Sequence, residues 1–278
     1  MNRKKGLTLL MFCTIFLEIG CLKHRTYEGL HGALWVQTSA EYQALSLQIF
    51  ESASARLLQA LADSEWSALA DEGAIHKSGL PPAIIVDVDE TILDNSPYQA
   101  RLLMNNERYS EDSWGAWVNE ASAEVLPGAD QFLALAESNN VAVFYVTNRN
   151  AKLENATRQN LLNRGLPLAT GHDALLMKGE NGWGSDKKER RLAVAKQYRV
   201  LLLLGDDLND FVSGARANEP TTRVDLAKKH AERWGREWHL LPNTQYGSWE
   251  ASLYGRDYSL PDKERRQRKY SNLRPSTN

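Results

Sequence analysis

The sequence predicts an α/β fold built on a parallel β-sheet flanked by helices. Three short apolar runs, at 83–88, 141–146 and 200–204, predict strands, and each run leads into polar residues. The runs do not alternate with polar residues, which is typical of strands buried on both faces. Helical stretches at 128–139, 152–164 and 187–198 fall between them. This order of strands and helices is that of βαβ units with right-handed crossovers.

The bulk composition is that of one globular domain with short additions. The chain has 278 residues, of which 42% are hydrophobic and 24% are charged, and a chain of this size buries a large core without disulfides. The formal net charge of -2 gives no strong attraction to nucleic acid, so no nucleic-acid polymer is expected as a partner. Cys13 and Cys21 are the only cysteines, which excludes a disulfide framework or a cysteine zinc site in the folded body.

The N-terminal 21 residues predict export. A basic stretch at 2–5 precedes an apolar run at 7–17 of signal-peptide length, which ends in Gly20-Cys21 as bacterial lipoprotein signals do. We expect residues 1–21 to be a signal peptide with a lipobox-like end, and Cys21 to carry a lipid anchor. The protein would then lie in the bacterial cell envelope, as an outer-membrane lipoprotein or in the periplasm. Glu18 departs from the lipoprotein pattern, so an ordinary signal peptide or an uncleaved anchor stays open.

The remaining chain divides by composition. Residues 22–32 are polar and predict a tether, and 33–70 are helical in character. The main domain is predicted at 33–256. An aromatic-rich insertion at about 95–125, after the first strand, predicts a small cap over the sheet edge. The polar tail at 257–278 is basic at 263–269, which favours a solvated helix or frayed end over a contact with phosphate or lipid.

Acidic residues follow two of the predicted strands. Asp87 and Asp89 are two positions apart at the first strand's end, so their side chains point the same way. The third strand leads into Gly205 and the acidic cluster Asp206, Asp207 and Asp210. Carboxyl ends of parallel strands meet at one edge of the sheet, where ligands bind. Paired carboxylates repel each other unless a cation binds them, and Mg²⁺ prefers such oxygen ligands.

The second strand and the helix before the third supply groups for an anion. Thr147 ends the second strand with a hydroxyl, and Lys187 follows Ser185-Asp186, which reads as a helix start. A helix N-terminus with an ammonium group is a suitable phosphate site. From position alone, a solvated surface lysine is the favoured interpretation of Lys187.

Together these segments resemble the four motifs of the haloacid dehalogenase superfamily. The longer strings Asp-Glu-Thr-Ile-Leu-Asp-Asn-Ser-Pro-Tyr (89–98), Tyr-Val-Thr-Asn-Arg (145–149), Gly-Asp-Asp-Leu-Asn-Asp-Phe (205–211) and Leu-Pro-Asn (241–243) resemble the class C bacterial acid phosphatases. The resemblance covers about 33–256. It implies a Rossmann-like parallel sheet of haloacid dehalogenase type with a small, mainly helical cap, and hydrolysis of phosphate monoesters as acid phosphatase or 5'-nucleotidase.

The resemblance also implies roles for the acidic residues. Asp87 would attack phosphorus and form an aspartyl-phosphate, and Asp89 would act as acid and then base. Mg²⁺ would be held by Asp87, the backbone carbonyl of Asp89 and Asp206. Asp207, which replaces an asparagine common in the family, and Asp210 would support these ligands, Asp210 also through water.

The phosphoryl oxygens would be bound by Thr147, Asn148 and Lys187. Lys188 is the alternative to Lys187, because the preceding glycine-rich stretch leaves the register uncertain. Trp114 and Tyr246 would sandwich a nucleobase or aryl leaving group, or would pack the cap instead.

Other functions on this scaffold stay open. A phosphotransferase or another reaction of the superfamily is one, although Asp89 argues against a dehalogenase. A lipoprotein that only binds nucleotides or stores protein would lack at least one of Asp87, Asp89, Lys187 or Asp206, and all are present. Similar proteins suggest a homodimer, but the sequence does not determine the oligomeric state.

Overall fold

The computed structural model describes residues 28–69 and 79–276. The predicted signal peptide, Cys21 and most of the predicted tether lie outside these residues. The described strands are β1 (Pro82–Val86), β2 (Leu93–Asp94), β3 (Glu124–Val125), β4 (Ala142–Asn150), β5 (Leu175–Lys178), β6 (Arg199–Gly205) and β7 (Trp238–Leu240).

The helices surround these strands. In the described part of the chain they are α1 (Leu30–Thr38), α2 (Ala40–Ala62), α3 (Ser96–Asn105), α4 (Glu111–Asn119), α5 (Ala129–Ser138), α6 (Glu154–Asn163), α7 (Lys188–Ala195), α8 (Pro220–Lys229), α9 (Ser248–Ser252) and α10 (Asp262–Ser271). No helix of the described ranges has both the length and the apolar character that crossing a membrane requires.

Five strands form the central sheet in the order β5-β4-β1-β6-β7. All four neighbouring pairs are parallel. Side chains of β1 alternate between two apolar clusters. Ile84 packs on the face covered by α2 and α5, whereas Ile85 packs on the face covered by α7. Burial on both faces explains the continuous apolar runs, and the predicted α/β class is confirmed.

The N-terminal helical region differs from the single helix that the sequence suggests over 33–70. Ser39 is extended and separates α1 from α2. Its hydroxyl accepts a hydrogen bond from the N–H of Tyr42 at 3.1 Å and donates one to the carbonyl of Trp35 at 2.6 Å. One side chain therefore caps both helix ends, a use of serine that apolar spacing does not reveal.

The insertion after β1 forms the cap. Strands β2 and β3 pair antiparallel at its base, with Leu93 opposite Val125, and α3 and α4 lie between them in sequence. Helix α4 begins with a capping box of Ser110 and Ser113. Its apolar side, with Trp114 and Trp117, is buried, so the cap is packed against the body of the domain.

Candidate active site

The carboxyl ends of β1, β4 and β6 meet at one edge of the sheet, beneath the cap. The N–H of Asp87 donates to the carbonyl of Leu204 in β6 at 2.9 Å, which continues the β1–β6 pairing into the site. Asp87 is buried, with 7% of its surface exposed. A buried carboxylate needs compensating charge, and its surroundings supply it.

A group of three carboxylates occupies this edge. One oxygen each from Asp87, Asp206 and Asp210 lie within 4.8 Å of one another. Burial raises the pKa of Asp87 to about 7; the carboxylates of Asp210 and Asp89 add to the rise and Lys187 opposes it. Burial and the nearby Asp210 and Asp87 raise the pKa of Asp206 well above its ordinary value. Crowded carboxylates of this kind match the hard oxygen donors that Mg²⁺ and similar cations bind.

Lys187 lies between two of these carboxylates. Its ammonium nitrogen is 2.5 Å from Oδ1 of Asp87 and 2.6 Å from Oδ1 of Asp210. Burial lowers the pKa of Lys187, but Asp210 and Asp87 outweigh this effect and raise it above its ordinary value. Lys187 immediately precedes α7. The half-buried Lys188 is the first residue of α7, and its backbone N–H donates to Oδ1 of Asp186 at 2.8 Å.

The end of β4 places Thr147 and Asn148 beside this group. The fully buried Thr147 accepts a hydrogen bond on Oγ1 from the N–H of Arg149 at 3.0 Å. Nδ2 of Asn148 donates to the carbonyl of Ser185 at 3.1 Å. Arg190 supports both residues from α7, donating to the carbonyl of Thr147 at 2.5 Å and to Oδ1 of Asn148 at 2.7 Å.

Sequence reasoning did not select the two arginines of α7. Both Arg190 and Arg191 are fully buried, and Arg191 donates to the carbonyls of Asn209 and Asp210 at 2.9 and 3.2 Å. They follow Lys187 by three and four positions, so they lie on its side of the helix. That spacing was the available signal: Lys187 at the start of α7 and the two arginines within it place three basic side chains near the ends of β1, β4 and β6.

Asp89 is held by two residues that the sequence reasoning also left without roles. Its Oδ1 lies 2.7 Å from Nη2 of Arg149 and 2.9 Å from Nδ2 of Asn95. Both partners are buried. Each belongs to a string that carries the family resemblance, which is the only signal the sequence offered for them.

The loop after β7 contacts Asp206, one of the candidate metal ligands. Nδ2 of Asn243 donates to Oδ2 of Asp206 at 2.8 Å, and Oδ1 of Asn243 accepts from the N–H of Tyr246 at 3.4 Å. Asp207 is engaged elsewhere, because its carboxylate accepts from the N–H groups of Asn209 at 2.9 Å and Ser248 at 2.7 Å. The Asp207 carboxylate therefore links the end of β6 to the segment that follows β7.

Gly205 permits the tight turn into the acidic cluster. A Cβ at this position would overlap the side chain of Asp210. The Asp210 carboxylate also accepts the N–H of Asp207 at 2.9 Å. Asp210 thus packs directly over the end of β6. It is one of the three clustered carboxylates and does not lie behind the other two.

The two predicted aromatic residues take different positions. Trp114 is 9% exposed and packs edge-to-face on Tyr98, with ring centroids 5.2 Å apart. The half-buried Tyr246 donates its hydroxyl to the carboxylate of Glu90. Burial, with the charge of Asp89, raises the pKa of Glu90 well above its ordinary value. Stacking on a substrate stays a prediction for both rings.

The parallel sheet, its cap and the aspartate, threonine and lysine residues at the strand ends define a protein of the haloacid dehalogenase type. The family model for the haloacid dehalogenase superfamily, subfamily IIIB (acid phosphatase), matches residues 26–249. The chain belongs to this family, and the predicted resemblance is confirmed.

Individual relatives agree with this assignment. The structure resembles the class C acid phosphatase of Bacillus anthracis, with 31% identity, a TM-score of 0.79, and coverage of 90% of this chain and 98% of that one. A second structure of that enzyme, with tungstate bound, matches equally well. Acid phosphatase 1 of Solanum lycopersicum is 28% identical over 138 residues, or 47% of this chain. The match spans about half the length of that tomato protein, 52%.

Proposed function

We propose that this protein is an exported, magnesium-dependent acid phosphatase that hydrolyses phosphate monoesters through an aspartyl-phosphate on Asp87. The observation that carries the proposal is the buried ion pair between Asp87 and Lys187, within the cluster of three carboxylates. A nucleophile next to an ammonium group and a cation site is suited to an anionic substrate. Membership of an acid phosphatase family supports the same reaction.

The carboxylate group fits a divalent cation. Asp87, Asp206 and the backbone carbonyl of Asp89 are the proposed ligands, and Asp210 lies close enough to Asp87 and Asp206 to join them. When bound, Mg²⁺ would neutralise charge on the carboxylates and the phosphoryl group. The selectivity for Mg²⁺ is inferred from the all-oxygen donor set.

Asp87 and Asp89 carry out the two chemical steps of the proposed reaction. A carboxylate oxygen of Asp87 attacks phosphorus, the bond from phosphorus to the ester oxygen breaks, and Asp89 gives that oxygen a proton. In the second step Asp89 removes a proton from water, the water oxygen attacks the same phosphorus, and the Asp87 carboxylate is released with inorganic phosphate.

The phosphate-binding residues act throughout both steps. Lys187, Thr147 and Asn148 stabilise the charge on the phosphoryl oxygens. Arg190 holds the latter two in position, since its guanidinium bonds the carbonyl of Thr147 and the side chain of Asn148. Tungstate in the related Bacillus anthracis enzyme supports an oxyanion site on this scaffold.

The proposed substrates are nucleoside monophosphates and aryl phosphates. The cap provides Trp114, with Tyr98 and Tyr109 packed around it at ring-centroid distances of 5.2 and 6.4 Å. An aromatic wall accepts flat leaving groups with little dependence on their identity. Tyr246, on the opposite loop, would contribute its ring while its hydroxyl stays on Glu90.

We also propose that Cys21 carries a lipid that anchors the mature protein in the outer membrane or at the periplasmic face of the envelope. We propose in addition that the protein forms a dimer, as similar proteins suggest. The apolar run at 7–17 before Gly20-Cys21 supports it. Mass spectrometry of the native N-terminus tests the lipid, and an unmodified mature N-terminus other than Cys21 contradicts it. Light scattering of the detergent-solubilised protein tests the dimer.

Hydrolysis of p-nitrophenyl phosphate tests the reaction. Protein lacking residues 1–21 would be assayed across pH with Mg²⁺ or EDTA, beside Asp87→Asn and the surface control Asp130→Asn. We expect activity that EDTA removes, that Asp87→Asn lowers by at least about 10³-fold, and that the control retains. Metal-independent turnover or a fully active Asp87→Asn would refute the mechanism, and an inactive wild type would favour a binding or storage role.

A further inference from the structure

We propose that the cap helix α4 positions the acid/base aspartate, Asp89, through two side-chain arms, Trp114–Arg149 and Trp117–Asn95. The inference rests on the proposed phosphatase function. It makes Arg149 and Asn95 positioning residues, and it gives the cap a part in protonating the leaving group as well as in contacting it.

The first arm runs through Arg149. Nε of Arg149 lies 3.0 Å from Oδ1 and 3.2 Å from Oδ2 of Asp89, and Nη2 lies 2.7 Å from Oδ1. The guanidinium carbon is 5.6 Å from the ring centroid of Trp114. Planar guanidinium groups both fork onto carboxylates and lie over aromatic faces, which lysine does not reproduce.

The rest of the Arg149 side chain is fixed. Its Nη1 donates to Oγ1 of Thr157 in α6 at 3.2 Å, and only 1% of the side chain is exposed. Oγ1 of Thr157 in turn donates to the carbonyl of Leu153 at 3.0 Å. The arginine is therefore held between the cap and the body of the domain, and its position does not depend on Asp89 alone.

The second arm runs through Asn95. Its Nδ2 donates to Oδ1 of Asp89 at 2.9 Å, and its Oδ1 accepts the indole N–H of Trp117 at 2.7 Å. Trp117 follows Trp114 by three residues, so the two rings share one side of α4. Both arms end on the same carboxylate oxygen.

The contacts on Asp89 are unequal. Oδ1 receives the three short bonds from Arg149 and Asn95, at 2.7, 2.9 and 3.0 Å. Among residues 28–69 and 79–276, Oδ2 has one bond, at 3.2 Å from Nε of Arg149. Oδ1 is thus the anchored oxygen, and Oδ2 is the oxygen left to exchange a proton with the leaving group and water.

This arrangement acts on the leaving-group side of the site. The phosphoryl oxygens are served by Lys187, Thr147 and Asn148, none of which belongs to the two arms. A proton donor helps only when it lies within hydrogen-bond reach of the departing oxygen. Loosening an arm should therefore slow poor leaving groups, which need the proton, far more than good ones.

Para-substituted phenyl phosphates test the inference, because they keep the same ring under the cap while the leaving ability changes. Arg149→Lys and Trp117→Phe would be compared with wild type in the full-length protein by kcat/KM. The matched controls are Arg158→Lys, an arginine of α6 paired with Glu154 and Asp173, and Trp66→Phe, which loses a similar indole bond to the carbonyl of Leu201.

We expect kcat/KM for phenyl phosphate to fall about 10- to 100-fold in each arm variant, with less than about a 3-fold fall for p-nitrophenyl phosphate and no change of the ratio in the controls. An equal loss on both substrates in folded variants, checked by thermal melting, would overturn the inference. So would unchanged kinetics in both arm variants. An inactive wild type would instead refute the proposed function.

Discussion

The ammonium group of Lys187 lies 2.5 Å from Oδ1 of Asp87, a residue 100 positions earlier in the chain. The pair is buried, and Asp210, in the turn after β6, places an oxygen 2.6 Å from the same nitrogen. Burial favours the protonated, uncharged form of Asp87, and Lys187 works against that effect. The lysine therefore helps keep the proposed nucleophile ionised.

Replacing Lys187 by Met should lower kcat/KM for p-nitrophenyl phosphate by about 10²- to 10³-fold, because one positive charge that stabilises the transferring phosphoryl group is lost. Lys188→Met is the matched control, since the neighbouring side chain makes no contact with Asp87 in the described structure. We expect the control to stay within about 3-fold of wild type. The opposite order of the two variants would assign the phosphate lysine to position 188.

Asp206→Asn should abolish stabilisation by Mg²⁺. At a concentration 100 times the dissociation constant, a bound ion adds about 2.7 kcal/mol, or roughly 5–10 °C in a domain of this size. Differential scanning calorimetry with and without Mg²⁺ measures the shift directly, without an activity assay. Without metal, the variant should melt no lower than wild type, because crowding of carboxylates is relieved.

Asp225→Asn serves as the control for this experiment, as Asp225 is exposed on α8 and pairs only weakly with Lys228 at 3.6 Å. It should keep the full Mg²⁺-dependent shift. A shift that survives in Asp206→Asn would place the cation elsewhere.

Arg190→Met should weaken phosphate binding although Arg190 is not proposed to touch the substrate. The change leaves the carbonyl of Thr147 and the Oδ1 of Asn148 without their donor, at a cost of about 1–3 kcal/mol each. We expect a fall in melting temperature and a rise of about 10-fold or more in the inhibition constant of inorganic phosphate. Arg56→Met, which also loses a bond to a backbone carbonyl, should leave phosphate inhibition unchanged.

His239 should make the protein less stable in mild acid. Burial lowers its pKa from 6.5 to about 4. The unfolded chain therefore takes up a proton on His239 between about pH 6.5 and 4 while the folded chain does not, so stability is lost as pH falls through this window. The full effect of such a shift is on the order of 3 kcal/mol.

Urea unfolding between pH 4.5 and 7.5 measures this effect. In His239→Phe the stability should fall less steeply below pH 6.5, whatever its absolute value at neutral pH. An unchanged slope would show that other groups govern the acid sensitivity. His31→Phe is the control, since His31 is exposed on α1.

The sheet illustrates which elements a sequence reveals. Strands β1, β4 and β6 are buried on both faces and were predicted from their apolar runs. Strands β5 and β7 lie at the sheet edges and have four and three residues, and β7 follows Glu237 and includes His239. Short edge strands have fewer neighbours to bury against, so their composition carries little periodic signal.

The sequence by itself determined the α/β class, the family and the residues that follow each central strand, because strand ends and motif spacing are local properties. Only the tertiary structure decided that Arg190 supports the end of β4 and that Arg149 and Asn95 hold Asp89. The two arginine contacts join residues 42 and 60 positions apart. Asn95 is only six positions from Asp89, but its side chain is oriented by Trp117 of the cap helix. A buried arginine and a surface arginine are the same letter, and the partner that distinguishes them is brought near by the folding of the whole chain.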